Sequence, residues 1–332
     1  PLFREVIASR PHLTTLAFTD NFDITRENGP ESIFAVQHAV AADGTGGENG
    51  NVGDMLNFPM GPGSPASCCG FLRPSIDLAS AYRVGPDGLP MFETYRQTPV
   101  KSDLGLTGAA KENYKPDGNL RIDPRMDYTL GRRGVPYRDW GVFAGDAWIR
   151  GGSYAGPFMS YKNTIESSQI STGTAPGANH LTGLNVNVIR LADVYLMAAE
   201  CEVEAGSLES ARELVNAVRE RASLTLAPKE VDGVPVADYA VGPYTVPFTD
   251  QAYARRAVRW ERRLELAMEG HRFFDLVRWG VLKEVLESYY DFEGAYVSYL
   301  QGLTIQPQDE YFPIPQDEID RSDGVLEQNE GY

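Results

Sequence analysis

Residues 185–222 read NVNVIRLADVYLMAAECEVEAGSLESARELVNAVRERA, and the spacing of their apolar side chains decides the fold. Ile189, Ala192, Leu196, Ala199 and Val203 recur every three or four positions, which places them on one face of a helix through about residue 205. Gly206 breaks that helix, and Ser207 can cap a second one. The second stripe is Leu208, Ala211, Val215, Val218 and Ala222. So short a turn folds the two helices into an αα-hairpin of tetratricopeptide-like dimensions. One hairpin cannot bury both of its faces, so partner helices must come from elsewhere in the chain.

Downstream, Asp250 or Thr249 can cap a helix from about 251 to 270, and a shorter helix is predicted from about 274 to 289. Between them, RRLELAMEGHRFFDLVRWG at 262–280 sets Glu269, Arg272, Asp275 and Arg278 three apart, with Trp279 and other large side chains filling the gaps. On a helix these charges form a slowly drifting row. Glu265 and Glu269, four apart, resemble the paired carboxylates of a glycosidase. The arginines around them favour permanently ionised, hydrogen-bonded carboxylates over a proton donor. Glu269, Arg272, Asp275, Arg278 and Trp279 are therefore read as structural. Residues 300–332 are predicted to hold an extended segment and a turn ruled by Pro313 and Pro315, which lack backbone donors.

Upstream, LFREVIAS reads as the end of a helix stopped at Arg10-Pro11, and ESIFAVQHAV at 31–40 as a strand or short helix. Ser75 is a possible cap for the pattern Ile76, Leu78, Ala79, Tyr82. Most of 41–180 is loop by composition, with a long Gly/Pro/Asn/Ser stretch at 41–70. Within it, GRRGVPYRDWG and DAWIRGGSYAGP alternate glycines with aromatics and arginines. Tyr137, Trp140, Trp148 and Tyr154 could stack on the apolar faces of sugars, while Arg138, Asp139, Asp146 and Arg150 hydrogen-bond to hydroxyls. Phe58, Phe71 and Tyr82 are weaker additions. The competing reading packs these rings into the loops' own core.

Composition excludes several classes. The 46 acidic against 30 basic residues, net −16, argue against a nucleic-acid partner, which requires concentrated positive charge. Three cysteines make no disulfide framework, and adjacent Cys68 and Cys69 read as ordinary loop residues. Four histidines disfavour a histidine-rich metal site. Asp117, Asn119, Asp123 and Asp127 lack the pattern of a calcium-binding EF-hand loop and suit turn and cap duties. There is no GxxxxGK[ST] and no GxSxG, and the glycine-rich 44–54 lies between no clear strand and helix. No cofactor, no metal and no nucleophilic enzyme are expected. The start at Pro1 suggests a processed or truncated product.

The 185–222 stretch, WERRLELAMEGHRFFDLVRWG at 260–280 and EYFPIPQDEID at 310–320, in that order, resemble the SusD/RagB family of outer-membrane nutrient-binding lipoproteins. ESIFAVQHAV and LRIDPRMDYTLGRRGVPYRDWG are also similar to segments of its members. The resemblance implies a mostly α fold with tetratricopeptide-like hairpins and a large loop-rich variable region. It also implies a surface-exposed outer-membrane lipoprotein that captures glycans or other nutrient oligomers for a SusC-like TonB-dependent transporter, without enzymatic activity. The matching positions, among them Arg190, Arg219, Glu261, Glu269, Gly270, Arg278 and Pro313, are read as scaffold. Members usually begin with a signal peptide and a lipid-bearing cysteine, followed by a helical region. The chain is thus expected to be the later portion of such a protein: a single 1–332 domain lacking its N-terminal part, with membrane attachment through an N-terminal lipid absent from this chain. Its expected parts are a loop-rich ligand region at 41–180, a helical scaffold at 185–290 and the C-terminal extended segment and turn at 300–332. The alternative is a helical-repeat protein–protein interaction module that binds no small ligand.

Overall fold

In the computed structural model, which describes residues 1–40, 49–65 and 68–332 apart from the Asn179 side chain, the predicted hairpin is formed by helices Leu191–Glu204 and Leu208–Thr225. Parts of the expected 41–70 loop and of the 44–54 glycine stretch lie outside the described residues. Gly206 takes the left-handed conformation at φ 83°, which lets the Ser207 amide donate to the Glu202 carbonyl at 2.8 Å. Ser207 itself makes no side-chain cap, so the turn is closed by the backbone alone. The first helix starts later than its stripe suggests: Ile189 belongs to a strand.

Helix Gln251–Glu265 supplies the missing partner, and Asp250 caps it through the Ala252 amide at 2.9 Å. Its Ala254, Ala257 and Val258 share one core with Leu196, Ala199, Val215 and Val218 of the hairpin. Burial of Leu196 and Val215, both fully enclosed, contributes roughly 1.5–3 kcal/mol each. Helix Leu2–Ala8 also packs here through Phe3 and Ile7. Ser75 caps helix Ile76–Ala81 as expected, accepting from the Leu78 amide.

Residues 31–40 resolve as strand Ser32–Val36, antiparallel to Val186–Arg190 with Ser32 opposite Arg190 and Val36 opposite Val186. The other sheets are likewise pairs of short strands, and among the described residues the interval between the two strands holds short helices and strands joined by loops.

Beneath the hairpin lies a buried ionic core. Arg125 donates to both oxygens of Asp123, to Glu261 at 2.6 Å and to Glu265 at 3.0 Å. Arg190 reaches Glu31 at 2.8 Å, Glu265 at 2.6 Å and Glu269 at 2.7 Å. Arg219 bonds Glu261 at 2.8 Å, and Arg221 bonds Glu31 and Glu265. Lys162 bonds Glu269 at 2.6 Å. Five cations thus face five carboxylates, and burying charge is tolerable only under such mutual pairing.

The expected row of charges is not continuous. The helix ends at Glu265, Gly270 is left-handed at φ 86°, and Glu269 sits in the turn between. Glu269 therefore joins the ionic core, while Asp275 and Arg278 pair with each other at 2.8 Å one helix later. Arg272 and Arg278 lie over the Trp279 ring, at 5.9 and 5.0 Å.

That same turn separates two compact units, Pro1–Glu269 and Gly270–Tyr332. In the second, the predicted 274–289 helix is two helices, His271–Arg278 and Leu282–Glu293, interrupted at Gly280 with φ 66°. Leu276, Leu282 and Ile305 form its core. Around the prolines, the Gln328 side chain accepts from and donates to the Ile314 backbone, at 2.8 and 2.9 Å.

Candidate functional site

The structure separates the predicted ligand residues into three groups. Tyr137 (0 % exposed), Tyr82 (0 %), Phe58 (1 %) and Trp148 (5 %) are core residues. Their polar ends are satisfied inside: the Tyr137 hydroxyl donates to the Ser160 carbonyl at 2.5 Å, Tyr82 to the Leu264 carbonyl at 2.7 Å, and the Trp148 indole to the Pro62 carbonyl at 3.1 Å. With no free face, these four rings cannot stack on a ligand, which corrects their expected role. Gly131 makes room for one of them, since a Cβ there would come within 2.6 Å of the Tyr137 ring.

Arg138, Asp139 and Trp140 clamp a neighbouring turn. Arg138 donates to Glu166 at 3.1 Å, to Thr164 at 3.0 Å and to the Phe22 carbonyl at 3.1 Å, with its side chain only 4 % exposed. Asp139 accepts from the Ser167 and Ser168 amides, and the half-buried Trp140 donates to the Ile165 carbonyl at 2.9 Å. These bonds occupy the groups of Arg138 and Asp139 expected to meet sugar hydroxyls.

Phe71 (55 % exposed) and Tyr154 (65 %) remain at the surface, and the chain brings their segments together. The Gly70 and Phe71 amides donate to the Phe58 and Leu56 carbonyls, both at 3.0 Å, fixing the turn that carries Phe71. Arg73 fastens this turn to the next segment, donating to the carbonyls of Gly70 at 2.7 Å, Gly156 at 3.1 Å and Arg150. Tyr154 stands on the one-turn helix Gly152–Ala155, bracketed by Gly151 and Gly156 at φ 61° and 92°. A side chain at either position would be strained. Leu72 takes φ 33°, a conformation that a residue with a Cβ holds only when its surroundings impose it. Exposed Leu56 and Leu72 extend the apolar surface beside the rings. Leu72 and Arg73 had no sequence signal, because their roles depend on a contact between segments about 80 residues apart. Cys68 and Cys69 lie on the same turn, where the Cys69 amide donates to the Leu56 carbonyl at 3.3 Å.

A separate polar cavity of about 220 Å³ is lined by Asp20, Asn21, Arg26, Glu27, Asn185 and Asn187 among others. Most of its polar groups already serve each other: Glu27 accepts the Asn185 amide at 2.5 Å, and Asn187 donates to the Asn21 carbonyl at 2.8 Å. Burial pushes the Glu27 carboxyl above its ordinary range, against that amide bond. The cavity is smaller than ordinary sites for drug-sized ligands.

Asp123 caps Arg125, and Asp117 accepts the Asn119 amide at 3.0 Å, the turn and cap duties the sequence suggests. Asp127 instead pairs with Arg132 and accepts from Tyr239. Among the described residues no group of three or more His, Cys, Asp or Glu side chains is disposed to hold a metal ion. Nor is any described helix long and apolar enough to cross a membrane.

One buried group in this region titrates near neutrality. Lys229 donates to the Pro136 carbonyl at 2.8 Å beneath the Tyr161 ring, and burial lowers its ammonium to about 7, against the opposing pull of Asp127. Above pH 7 the folded chain has lost a proton that the unfolded chain keeps until its ordinary 10.5, so stability rises with pH across that window. The slope is at most about 1.4 kcal/mol per pH unit. Denaturant midpoints at pH 6.5, 7.5 and 8.5 should rise more steeply in the native chain than in Lys229→Met; equal slopes would show that Lys229 stays charged.

The SusD family profile matches residues 30–332. The SusD-like protein P25 of Formosa agariphila is 29% identical over 331 residues, covering 99% of this chain and 54% of that protein. Among solved structures, a SusD-like carbohydrate-binding protein from Bacteroides fragilis superposes with a TM-score of 0.58 at 24% identity, covering 96% of this chain and 59% of that one. Surface glycan-binding protein A from Bacteroides thetaiotaomicron gives 0.51 at 21%, covering 99% and 57%. The chain thus spans about half the length of P25, the curated relative it matches almost throughout. These structures share the fold of the chain, and with the family match running from residue 30 to the last, the chain belongs to the SusD family.

Proposed function

We propose that the protein binds glycan chains noncovalently at the Phe71–Tyr154 surface and passes them to a TonB-dependent outer-membrane transporter of the SusC type. The observation that carries this reading is the pair of outward-facing rings on two segments locked together by Arg73. Aromatic faces held in this way present apolar surface to sugar rings without a large ordering cost on binding. Family membership supports it, and two of the similar structures are named for carbohydrate or glycan binding. The protein acts at the cell surface as a lipoprotein of the outer membrane, with capture and handover in place of catalysis. Glu265 and Glu269, the carboxylates a glycosidase would need, are enclosed by guanidinium groups and Lys162.

Calorimetric titration of the purified protein with plant, host and microbial glycans tests the reading. Saturable binding of a defined oligosaccharide is the expected result. Stable copurification with a protein partner, without a response to any glycan, would favour an interaction module instead.

A further inference from the structure

We propose that Arg150 makes this platform selective for anionic glycans, those bearing carboxylate or sulfate groups. The inference rests on the platform reading above and adds the ligand's charge to it. Arg150 is exposed, and its guanidinium makes no hydrogen bond, ion pair or ring contact among the described residues. Its root is fixed against the Phe71 turn: a Cβ on Gly70 would lie 3.2 Å from the Arg150 Cβ, and Arg73 holds the Arg150 carbonyl. The free cation therefore stands one residue from Phe71 across the seam and four residues before Tyr154.

Nearby charges are otherwise engaged. Arg73 serves carbonyls, Arg133 lies 3.4 Å from Asp103, and Asp146, the nearest acidic residue in sequence, is paired with Lys111. In a chain of net charge −16, an unpaired arginine rooted at the seam between the Phe71 and Tyr154 segments is a local reversal of sign. A guanidinium offers a planar fork of donors that matches carboxylate and sulfate oxygens two at a time, whereas neutral hydroxyls use only part of it. Ring stacking would then hold the sugar, and Arg150 would choose among sugars by charge.

The test compares two matched pairs of probes, polygalacturonate against its methyl-esterified form and dextran sulfate against dextran, on the native protein, Arg150→Gln, Arg150→Lys and Phe71→Ala/Tyr154→Ala. The native protein should bind at least one anionic probe about tenfold tighter than its neutral partner. That preference should shrink in high salt, vanish in Arg150→Gln and survive partly in Arg150→Lys. Which pair shows it separates carboxylate from sulfate recognition. An anionic-to-neutral ratio that Arg150→Gln leaves unchanged overturns the proposal; if the ring variant still loses binding, the platform stands without it. Absence of binding to all four probes overturns the anionic selectivity, while the platform itself is decided by the calorimetric screen of plant, host and microbial glycans.

Discussion

Replacing Glu265 by alanine should leave a chain that barely folds. The carboxylate receives Arg190 at 2.6 Å and Arg125 at 3.0 Å, together with Arg221, and all four side chains are shielded from water. Removing it leaves five buried cations facing four carboxylates, so one positive charge goes uncompensated while Arg125, Arg190 and Arg221 each lose a partner. Breaking one buried pair typically costs about 3–5 kcal/mol, a large part of the roughly 5–15 kcal/mol that holds an ordinary domain together. Burial alone would raise the Glu265 carboxyl, but Arg221, Arg190 and Arg125 hold it well below the usual carboxylate range. Its contribution is therefore complete above the ordinary value of 4.5 and is lost as pH falls through the folded value. Urea unfolding followed by circular dichroism checks this at pH 7. A Glu265→Ala midpoint indistinguishable from the native one would refute the ionic core as a determinant of stability, and Glu265→Gln should fall between the two.

The second large effect concerns binding. Phe71→Ala/Tyr154→Ala should lower affinity for any bound glycan by on the order of 30-fold, about 2 kcal/mol for the apolar area of two partly covered rings. The fold should survive, because both side chains point outward. Trp148→Ala should do the reverse, costing about 3–5 kcal/mol of stability as a large core ring is removed, with little change in affinity for the folded fraction. If Trp148→Ala abolished binding in a folded protein while the surface pair did not matter, the platform would be misplaced.

Sequence periodicity reveals the hairpin because its helices bury one face each, and Gly206 marks the turn. The helix starting at 251 was equally legible from Asp250 and the apolar spacing that follows. The ionic core was visible only in part. Glu265 and Glu269 advertised themselves by their arginine-rich surroundings, yet Glu31, Arg125 and Lys162 come from distant segments that no local spacing links to them. The same limit governs the rings. GRRGVPYRDWG and DAWIRGGSYAGP look alike as strings, but Tyr137 meets Phe143, Trp148 and Tyr161 at centroid distances of 5.3 to 6.3 Å, while Tyr154 stands on a turn bracketed by glycines. Composition does not say which aromatic is buried; the path of the backbone does.

The pairing of Ser32–Val36 with Val186–Arg190 sets positions 36 and 186 side by side. The chain leaves the helical body and re-enters it at this one point, so the interval can be regarded as a cassette. Its length is cheap to alter, since doubling a flexible closed loop costs only about 0.6 kcal/mol of additional closure entropy. Its contents are not wholly free. Arg125 and Lys162 belong to the cassette but neutralise Glu261, Glu265 and Glu269 of the body, and the Tyr82 hydroxyl must still reach the Leu264 carbonyl. A relative could exchange the tips that carry Phe71, Arg150 and Tyr154 for others and so acquire a new ligand, provided the replacement returns those plugs to their sockets.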